Sequence, residues 1–228
     1  MCVLHDHGGG PRGFQALLGA ARWRQLRSLG TAHTYRRGSI LLRQGEESDH
    51  VLALTRGRVT VLGAESDGSQ VLVAFRGPGD LVGEMAASSG ARTATVQALD
   101  HCTAWHLAND TFQDFLRRHD AQGLFADHLV SKLSETVTAQ LQQAHSTPLQ
   151  RLSRLLLEVL ELADADQPDP ARLPLSQQAI ASALGLARST VAEQIAALRR
   201  DHVLGPGPRL VVTDPESLAR CAEVSAGR

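Results

Sequence analysis

The stretch that decides the fold of the C-terminal half is residues 175–198, LSQQAIASALGLARSTVAEQIAAL. Ser176 can cap a first helix that ends near Leu184, and Gly185 lies where the chain must turn. A second helix then opens at Ala187 or Ser189. The apolar positions expected to face inward are Ala179, Ile180 and Leu184 on the first helix and Val191, Ile195 and Leu198 on the second. This pattern predicts a helix-turn-helix, followed by a β-hairpin wing over residues 203–212; an ordinary helical hairpin is the alternative.

The second helix of this pair carries side chains suited to DNA. Arg188, at its start, is placed to bond O6 and N7 of a guanine. The other side chains predicted to meet bases or phosphates are Ser189, Thr190, Gln194, Arg199 and Arg200. For the arginines at the end of the helix, a solvated surface is the alternative. Residues 148–228 contain nine arginines, no lysine and ten acidic residues, so DNA binding requires a local basic patch.

The N-terminal half has a different texture, with short apolar runs separated by glycine-containing turns. The predicted strands are residues 40–42, 51–54, 59–62, 71–75, 93–99 and 102–107. Asp67-Gly68 predicts a hairpin turn, because glycine accepts a positive φ without steric cost. Many short strands with frequent turns predict an all-β sandwich or barrel. A helix over residues 14–29 is expected to precede it.

Helical periodicity returns after residue 108. Asn109 or Asp110 is expected to cap a short helix, and residues 121–145 predict a long one. Its apolar seam, spaced alternately by four and three, is Ala126, Val130, Leu133, Val137, Gln140 and Ala144. Such a narrow seam favours a parallel contact with a second copy, and a stripe packed on the chain's own β domain is the alternative. Pro148 ends this region, and residues 149–162 predict an apolar helix followed by a polar loop over 164–170.

A candidate anion site lies between two of the predicted strands. Residues 78–86, PGDLVGEMA, lead to residues 91–96, ARTATV. Gly83 lets the backbone approach a ligand, and Glu84 offers acceptors to sugar hydroxyls. Residues 85–88, which begin with Met85, can form a helical turn whose free N–H groups suit an anion. Arg92 supplies a guanidinium fork for a phosphate and Thr93 adds a hydroxyl, whereas a structural ion pair of Glu84 with Arg92 is the alternative.

These residues carry a resemblance to a known family. The segment 83–86 with 92–94 is similar to the phosphate-binding cassette of cyclic nucleotide-binding domains, and residues 37–38, 43–46 and 57–59 resemble other signatures of that domain. Over residues 14–213, the order of elements resembles the cAMP receptor protein/fumarate–nitrate regulator family. The resemblance implies an α+β chain: an N-terminal β-roll (jelly-roll) sensor over 14–120, a dimerisation helix over 121–146 and a winged helix-turn-helix over 148–228. It also implies RNA polymerase as a partner.

The resemblance assigns roles residue by residue. Gly83 and Glu84 would hold a ribose, Arg92 and Thr93 a cyclic phosphate, and Thr136 would meet the adenine base; the implied effector is cAMP or cGMP. This chain departs from the family at Val137, which is polar in cAMP-responsive members, and in a shorter interval between Glu84 and Arg92. A threonine directly after the arginine, as at Thr93, resembles the cGMP-selective domains, where this hydroxyl meets the guanine. The recognition helix departs from the family pattern at Ser189 and Glu193. The preferred DNA sequence should therefore differ from that of the best-known family member.

Composition narrows the class of protein further. The net charge is −1, no apolar run reaches the roughly 20 residues of a membrane span, and the three cysteines lack metal-site spacing. We therefore expect a cytoplasmic homodimer that binds a palindromic operator in double-stranded DNA under control of a small anionic effector. A constitutive regulator, or one with a non-nucleotide effector, is the alternative. A metal-dependent jelly-roll enzyme would need converging histidines, and His33, His50, His101 and His106 show no such grouping in the sequence; neither catalysis nor a metal is expected.

Overall fold

The computed structural model describes residues 10–64, 70–86, 90–164 and 167–223, together with the backbone but not the side chains of 139–145. The predicted turn at residues 67–68 and the seam side chains of Gln140 and Ala144 therefore lie outside the described part. The chain begins with two helices, α1 (Gly13–Leu18) and α2 (Ala20–Ser28), instead of the single predicted helix. Gly19 separates them because its backbone is not helical, with a φ of 83° and a ψ of 152°.

The β-rich part is built from two four-stranded antiparallel sheets, as expected for a β-roll. Their strand orders are β1-β8-β3-β6 and β2-β7-β4-β5. The strands are β1 (Thr31–Tyr35), β2 (Ile40–Leu42), β3 (His50–Arg56), β4 (Val59–Ala64), β5 (Gln70–Arg76), β6 (Leu81–Val82), β7 (Thr95–Ala98) and β8 (Cys102–Ala108). Strands β1 and β6 were not predicted, and β7 begins at Thr95 instead of Thr93. The inner faces of the two sheets share an apolar core that includes Leu52, Val59 and Val96.

Two helices follow the roll: α3 (Asn109–Arg118) and the long α4 (Gln122–His145). The predicted cap of α3 is wrong, because Ala108 occupies the N-cap position and the side-chain Nδ2 of Asn109 donates to the Ser48 carbonyl over 2.9 Å. One face of α4 packs on α1, where His128 is 3% exposed and its ring lies 5.4 Å from that of Phe14.

The predicted seam of α4 is exposed on this chain. Val130, Leu133 and Val137 are 62%, 65% and 47% exposed, and Ala126 is exposed as well. The stripe therefore does not pack on the chain's own β domain, which was the alternative interpretation of its spacing.

The C-terminal part contains the predicted helix-turn-helix. Its elements are α5 (Pro148–Glu161), β9 (Arg172–Leu173), α6 (Gln177–Leu184), α7 (Arg188–Arg200), β10 (Leu210–Val211) and α8 (Pro215–Ala222). The Ser176 hydroxyl accepts from the Ala179 amide over 3.0 Å, and Gly185 adopts the left-handed conformation that ends α6. The six positions predicted to face inward are buried with one exception: Ala179 is exposed.

The wing is less regular than the predicted hairpin. Strand β10 pairs with β9, and one further bridge joins Leu204 to Val212. Neither β9 nor α8 was predicted. Both elements close the same apolar core as α5, α6 and α7, because Leu173 and Leu218 are buried in it.

Candidate effector site and DNA-reading surface

The Arg92 side chain points into the roll. Its backbone pairs with the loop after β2, since the Gly45 amide donates to the Arg92 carbonyl and the Arg92 amide to the Glu46 carbonyl over 2.9 and 2.8 Å. Arg92 is 4% exposed as a residue, and its Nη1 donates to the Gly83 carbonyl over 3.0 Å. Nη2 is buried without a partner among the described residues. A buried cation with a spare N–H donor is suited to an anionic ligand.

Gly83 is required by this geometry for two reasons. Its φ is +85°, and a Cβ at this position would lie 2.5 Å from Nη1 of Arg92 and 2.8 Å from Cδ1 of Leu42. The predicted close approach at Gly83 is therefore already used by the guanidinium. Burial lowers the pKa of Arg92, although the nearby carboxylates of Asp49, Glu46 and Glu84 oppose that shift.

Glu84 is joined to a residue that sequence reasoning missed. Its carboxylate is buried, and Oε1 accepts from Nζ of Lys132 on α4 over 2.6 Å. The same ammonium donates to the Leu81 carbonyl over 2.6 Å. The sequence offered an ion pair of Glu84 with Arg92 as an alternative, whereas the structure pairs Glu84 with Lys132. The available signal was that Lys132 is the single lysine in the sequence and lies one helical turn before Thr136.

The remaining predicted ligand residues are less enclosed. Thr136 is half-buried, and its hydroxyl donates to the Lys132 carbonyl over 3.0 Å. It lines a cavity of about 160 Å³ between β5, α4 and α5. Met85 is 58% exposed and Thr93 is exposed, so the structure brings together Gly83, Glu84 and Arg92 but leaves these two at the surface. Of the predicted turn over 85–88, residues 87–88 lie outside the described part.

Charged groups continue from this site along the junction between the roll and α4. Arg76 at the end of β5 pairs with Glu135 of α4 over 3.1 Å. Asp80, which is 8% exposed, accepts from the Gly77 amide over 2.9 Å. Burial raises the pKa of Asp80, although Lys132 and Arg76 act in the opposite direction. The loop that contains Gly83 and Glu84 is therefore tied to the long helix by charge.

Three histidines lie close together on neighbouring strands of one sheet of the roll. His33, His50 and His106 lie on β1, β3 and β8, and their ring centroids are 4.0 Å (His33–His106) and 4.6 Å (His50–His106) apart. Tyr35 contacts Nε2 of His106 through its hydroxyl over 2.5 Å. Burial, with His50 and His33 nearby, lowers the pKa of His106 to about 4. The rings stack instead of converging on a point, and within the described ranges no cluster of His, Cys, Asp or Glu has the arrangement of a metal site.

The start of α7 is open to solvent. Arg188, Ser189 and Arg200 are exposed, and Thr190 and Gln194 are half-buried. Ala187 at the N-cap makes no side-chain hydrogen bond, so the first N–H groups of α7 are not capped by that side chain. A helix N-terminus of this kind suits a DNA phosphate.

Arg199, which is predicted to meet a DNA base or phosphate, also makes contacts within the chain. Its guanidinium donates to the carbonyls of Gly205 and Gly207 over 3.2 and 2.5 Å. These bonds hold the turn of the wing against the end of α7. In this structure Arg199 therefore braces the wing, whereas Arg200 next to it remains exposed.

Two family matches cover most of the sensor and of the C-terminal part. Residues 32–119 match the cyclic nucleotide-binding domain, and residues 150–221 match the Crp-like helix-turn-helix domain. The first match lies before α4 and the second after it, in agreement with the β-roll and the helix-turn-helix of the structure. The chain belongs to the CRP/FNR family of transcription regulators.

Relatives within the CRP/FNR family are distant in sequence. The cAMP-activated global transcriptional regulator CRP of Pasteurella multocida is 23% identical over 79% of this chain and 88% of its own length. The transcriptional activator protein FnrL of Cereibacter sphaeroides is 26% identical over 93% of this chain and 90% of its own. The name of the first relative states activation by cAMP and that of the second states no effector, so membership of the family leaves the effector of this chain open.

Solved structures share this fold over most of the chain. FixK2 from Bradyrhizobium japonicum superposes with a TM-score of 0.69 at 22% identity, covering 86% of this chain and 99% of the other. A CRP-family regulator from Thermus thermophilus gives 0.70 at 23% identity, covering 83% and 96%. At this level of identity the likeness establishes the fold. In addition, none of the helices in the described part has the length and apolar character needed to cross a bilayer.

Proposed function

We propose that this CRP/FNR regulator is controlled by a cyclic nucleotide, cAMP or cGMP, bound at the mouth of the roll. The observation that carries the proposal is the Arg92 guanidinium, which is buried with one spare N–H beside the buried carboxylate of Glu84. Arg92 would bind the cyclic phosphate and Glu84 the ribose hydroxyls. The full set of proposed ligand residues is Gly83, Glu84, Met85, Arg92, Thr93 and Thr136.

Lys132 is the proposed link between the effector and the long helix. Its ammonium holds Glu84 and the Leu81 carbonyl, and its own carbonyl accepts from Thr136. A ribose that bonds Glu84 must share that carboxylate with Lys132. The effector would therefore change the contacts of α4 with the roll, which favours one of two arrangements of the helix.

The exposed seam of α4 is the proposed dimer interface. Val130, Leu133 and Val137 form an apolar stripe that the chain itself leaves uncovered. In a parallel homodimer each stripe would cover the other, and the two copies of α7 would be related by twofold symmetry. Such symmetry predicts a palindromic operator in double-stranded DNA with half-sites about one helical turn, ~34 Å, apart. We retain residues 14–120, 121–146 and 148–228 as the proposed sensor, dimerisation helix and DNA-binding domain.

DNA reading is assigned to the start of α7. Arg188 would bond a guanine, with Ser189, Thr190 and Gln194 at neighbouring bases or phosphates and Arg200 at a phosphate. Arg199 would act by holding the wing, given its bonds to Gly205 and Gly207. RNA polymerase remains the proposed protein partner, on the family resemblance.

Calorimetric titration with cAMP and with cGMP tests the effector proposal. Wild type should bind one of the two nucleotides, and Arg92→Ala should lose about 100-fold in affinity, since the buried cation and its charge-assisted hydrogen bond to the phosphate are removed. Arg43→Ala is the matched control, because Arg43 is 60% exposed and pairs with Glu46 of the same loop. An Arg92→Ala variant that binds as tightly as wild type would contradict the proposal.

A second candidate function is a CRP/FNR regulator with a non-nucleotide effector, or with none. Two observations favour it: Lys132 already neutralises Glu84, and Val137 offers no hydrogen bond at the helix position next to Thr136. In this case neither nucleotide binds in the calorimeter. A duplex selected from a random pool then distinguishes a regulator with a non-nucleotide effector from one with no effector. A constitutive regulator binds the duplex at full affinity with no added effector.

A further inference from the structure

Arg58 joins the sensor to the DNA-binding domain through a fully buried charge. It lies in the turn between β3 and β4 and is 0% exposed. A charge buried to this degree must be paired and hydrogen-bonded to be tolerated. Asp100, in the turn between β7 and β8, provides the pair: Nε and Nη2 of Arg58 donate to its two carboxylate oxygens over 2.5 and 3.2 Å.

The two turns that carry this pair form a rigid frame within the sensor. The amides of Leu99 and Asp100 both donate to the Arg58 carbonyl, over 2.8 and 3.3 Å. Gly57 has a φ of +75°, and a Cβ on it would collide with the His101 carbonyl. The guanidinium is therefore fixed relative to the sensor before it meets the other domain.

The other donors of Arg58 cross to two separate elements of the DNA-binding domain. Nη1 donates to the Val159 carbonyl in the last turn of α5 over 2.8 Å, and Nη2 donates to the Arg172 carbonyl at β9 over 3.3 Å. Carbonyls in a last helical turn have no partner within the helix, and a cation is favoured there. Because the guanidinium is planar with fixed donor directions, bonds to two elements constrain rotation as well as distance.

Apolar packing at the same junction is less selective. Phe75 of β5 is buried in the core of the DNA-binding domain, and Gly77 lies against Leu162. These contacts favour association of the two domains but tolerate small rotations. An altered orientation would instead remove carbonyls from Arg58 and leave N–H donors buried without partners.

We propose that Arg58 is a positioning residue that holds the DNA-binding domain in one orientation on the sensor, and so sets where α7 is presented. It contacts neither the proposed effector site nor the proposed DNA surface. The role goes beyond the proposed function, and the experiment has one arm that needs neither effector nor DNA.

Three variants separate positioning from simple stability. Arg58→Met leaves Asp100 without its cation and can fail to fold, so the double variant Arg58→Met/Asp100→Leu removes both charges together. Arg58→Lys keeps a charge for Asp100 but lacks the fork. Arg37→Met is the matched control, because Arg37 also crosses the junction, from Nη2 to the Pro174 carbonyl over 2.7 Å, but is exposed.

The first arm measures the distance between sensor and α7 with nitroxide labels on Gln25→Cys and Ser189→Cys, both exposed. Cys2 and Cys221 are replaced by Ser, whereas Cys102 is buried and burial raises its pKa to about 12, so it resists labelling. Doubly labelled chains diluted into unlabelled chains report distances within one chain. We expect one narrow distance for wild type and Arg37→Met, and a second or shifted population for Arg58→Lys and the double variant. Unchanged distributions in both would overturn the proposal.

The second arm measures affinity for a duplex selected with wild type. If only a tenth of the Arg58→Lys or double-variant molecules present α7 correctly, affinity falls about ten-fold. Changing the half-site spacing should then cost these variants less than it costs wild type. Equal spacing discrimination in wild type and both variants would contradict the proposed role. If wild type itself selects no duplex, the proposed DNA binding fails while the distance arm still decides the role of Arg58.

Discussion

The sensor and the DNA-binding domain differ in the range of the interactions that make their sites. In the helix-turn-helix, Ser176 caps α6 by accepting from the Ala179 amide, three residues along the chain, and Gly185 ends the same helix. At the effector site, Glu84 meets Lys132 from 48 positions away, and Arg92 contacts Gly83 across a loop. The DNA-reading surface is therefore determined by contacts between residues that are close in sequence, whereas the effector site depends on how distant elements pack.

This difference has an energetic consequence. A lost cap or an exposed arginine leaves a group that water can satisfy, so its removal should cost little stability. A lost partner at the effector site leaves a buried charge. Substitutions in the sensor should therefore affect folding and function together, whereas those on the DNA surface should separate them.

The largest expected effect is that of Lys132→Met. Glu84, which is 4% exposed, would remain buried without the ammonium that it bonds, so the free energy of unfolding should fall by about 3–5 kcal/mol. Urea denaturation followed by circular dichroism measures this. The double variant Lys132→Met/Glu84→Gln should recover most of the loss, because both charges are then absent.

An exposed ion pair provides the control for Lys132. Arg117 and Asp114 pair on α3, with side chains 64% and 42% exposed. Arg117→Met should cost at most about 1 kcal/mol. Equal losses for the two variants would break the comparison, since burial would then have no bearing on the cost.

The second prediction concerns acid. Burial lowers the pKa of His128 to about 4, with Lys132 nearby acting in the same direction. The folded protein thus binds this proton less tightly than the unfolded chain does. The associated stability is complete above pH ~6.5 and is lost as the pH falls to about 4, amounting to about 2–3 kcal/mol.

His128→Leu should reduce this acid dependence, measured as the urea midpoint between pH 7 and pH 4. His106, whose pKa is also about 4, should account for much of the remainder. His101→Leu removes an exposed histidine and should keep the wild-type profile. A His128→Leu variant with the full acid loss would show that this buried ring does not contribute.

The third prediction moves to the DNA surface. Arg188→Ala should weaken binding to a selected operator about 10–100-fold, since a bidentate guanine contact is worth about 1–3 kcal/mol. It should leave stability unchanged, because Arg188 is exposed. Fluorescence anisotropy with the selected duplex and with duplexes substituted at each guanine measures both affinity and discrimination.

Arg209→Ala is the comparison for Arg188, because Arg209 is also exposed but lies in the wing. It should weaken all duplexes similarly and lower the salt dependence by about one counterion. If Arg188→Ala instead weakens every duplex equally, Arg188 binds phosphate and not a base.

Features that depend on residues close in sequence were predicted, and features that depend on distant residues were not. Periodicity and turn residues predicted α6, α7 and most strands of the roll, because those signals lie within a few residues of one another. Lys132 was missed, and the stacking of three histidines on β1, β3 and β8 was not predicted, because only strand order and packing bring such residues together. Asn109 failed as a cap for the same reason: its side-chain amide found the Ser48 carbonyl 61 positions away.

The smallest effect gives the sharpest separation, because two serines near helix starts have different contacts. Ser176→Ala removes a hydroxyl that caps α6, so the free energy of unfolding should fall by about 1 kcal/mol while operator affinity stays close to wild type. Ser189 lies in the first turn of α7, where it is exposed, and Ser189→Ala should lower operator affinity without a measurable change in stability. Urea denaturation and anisotropy on both variants measure the two effects. If Ser189→Ala lowers stability as much as Ser176→Ala does, the exposed start of α7 has a structural role, and the assignment of this surface to DNA loses its support.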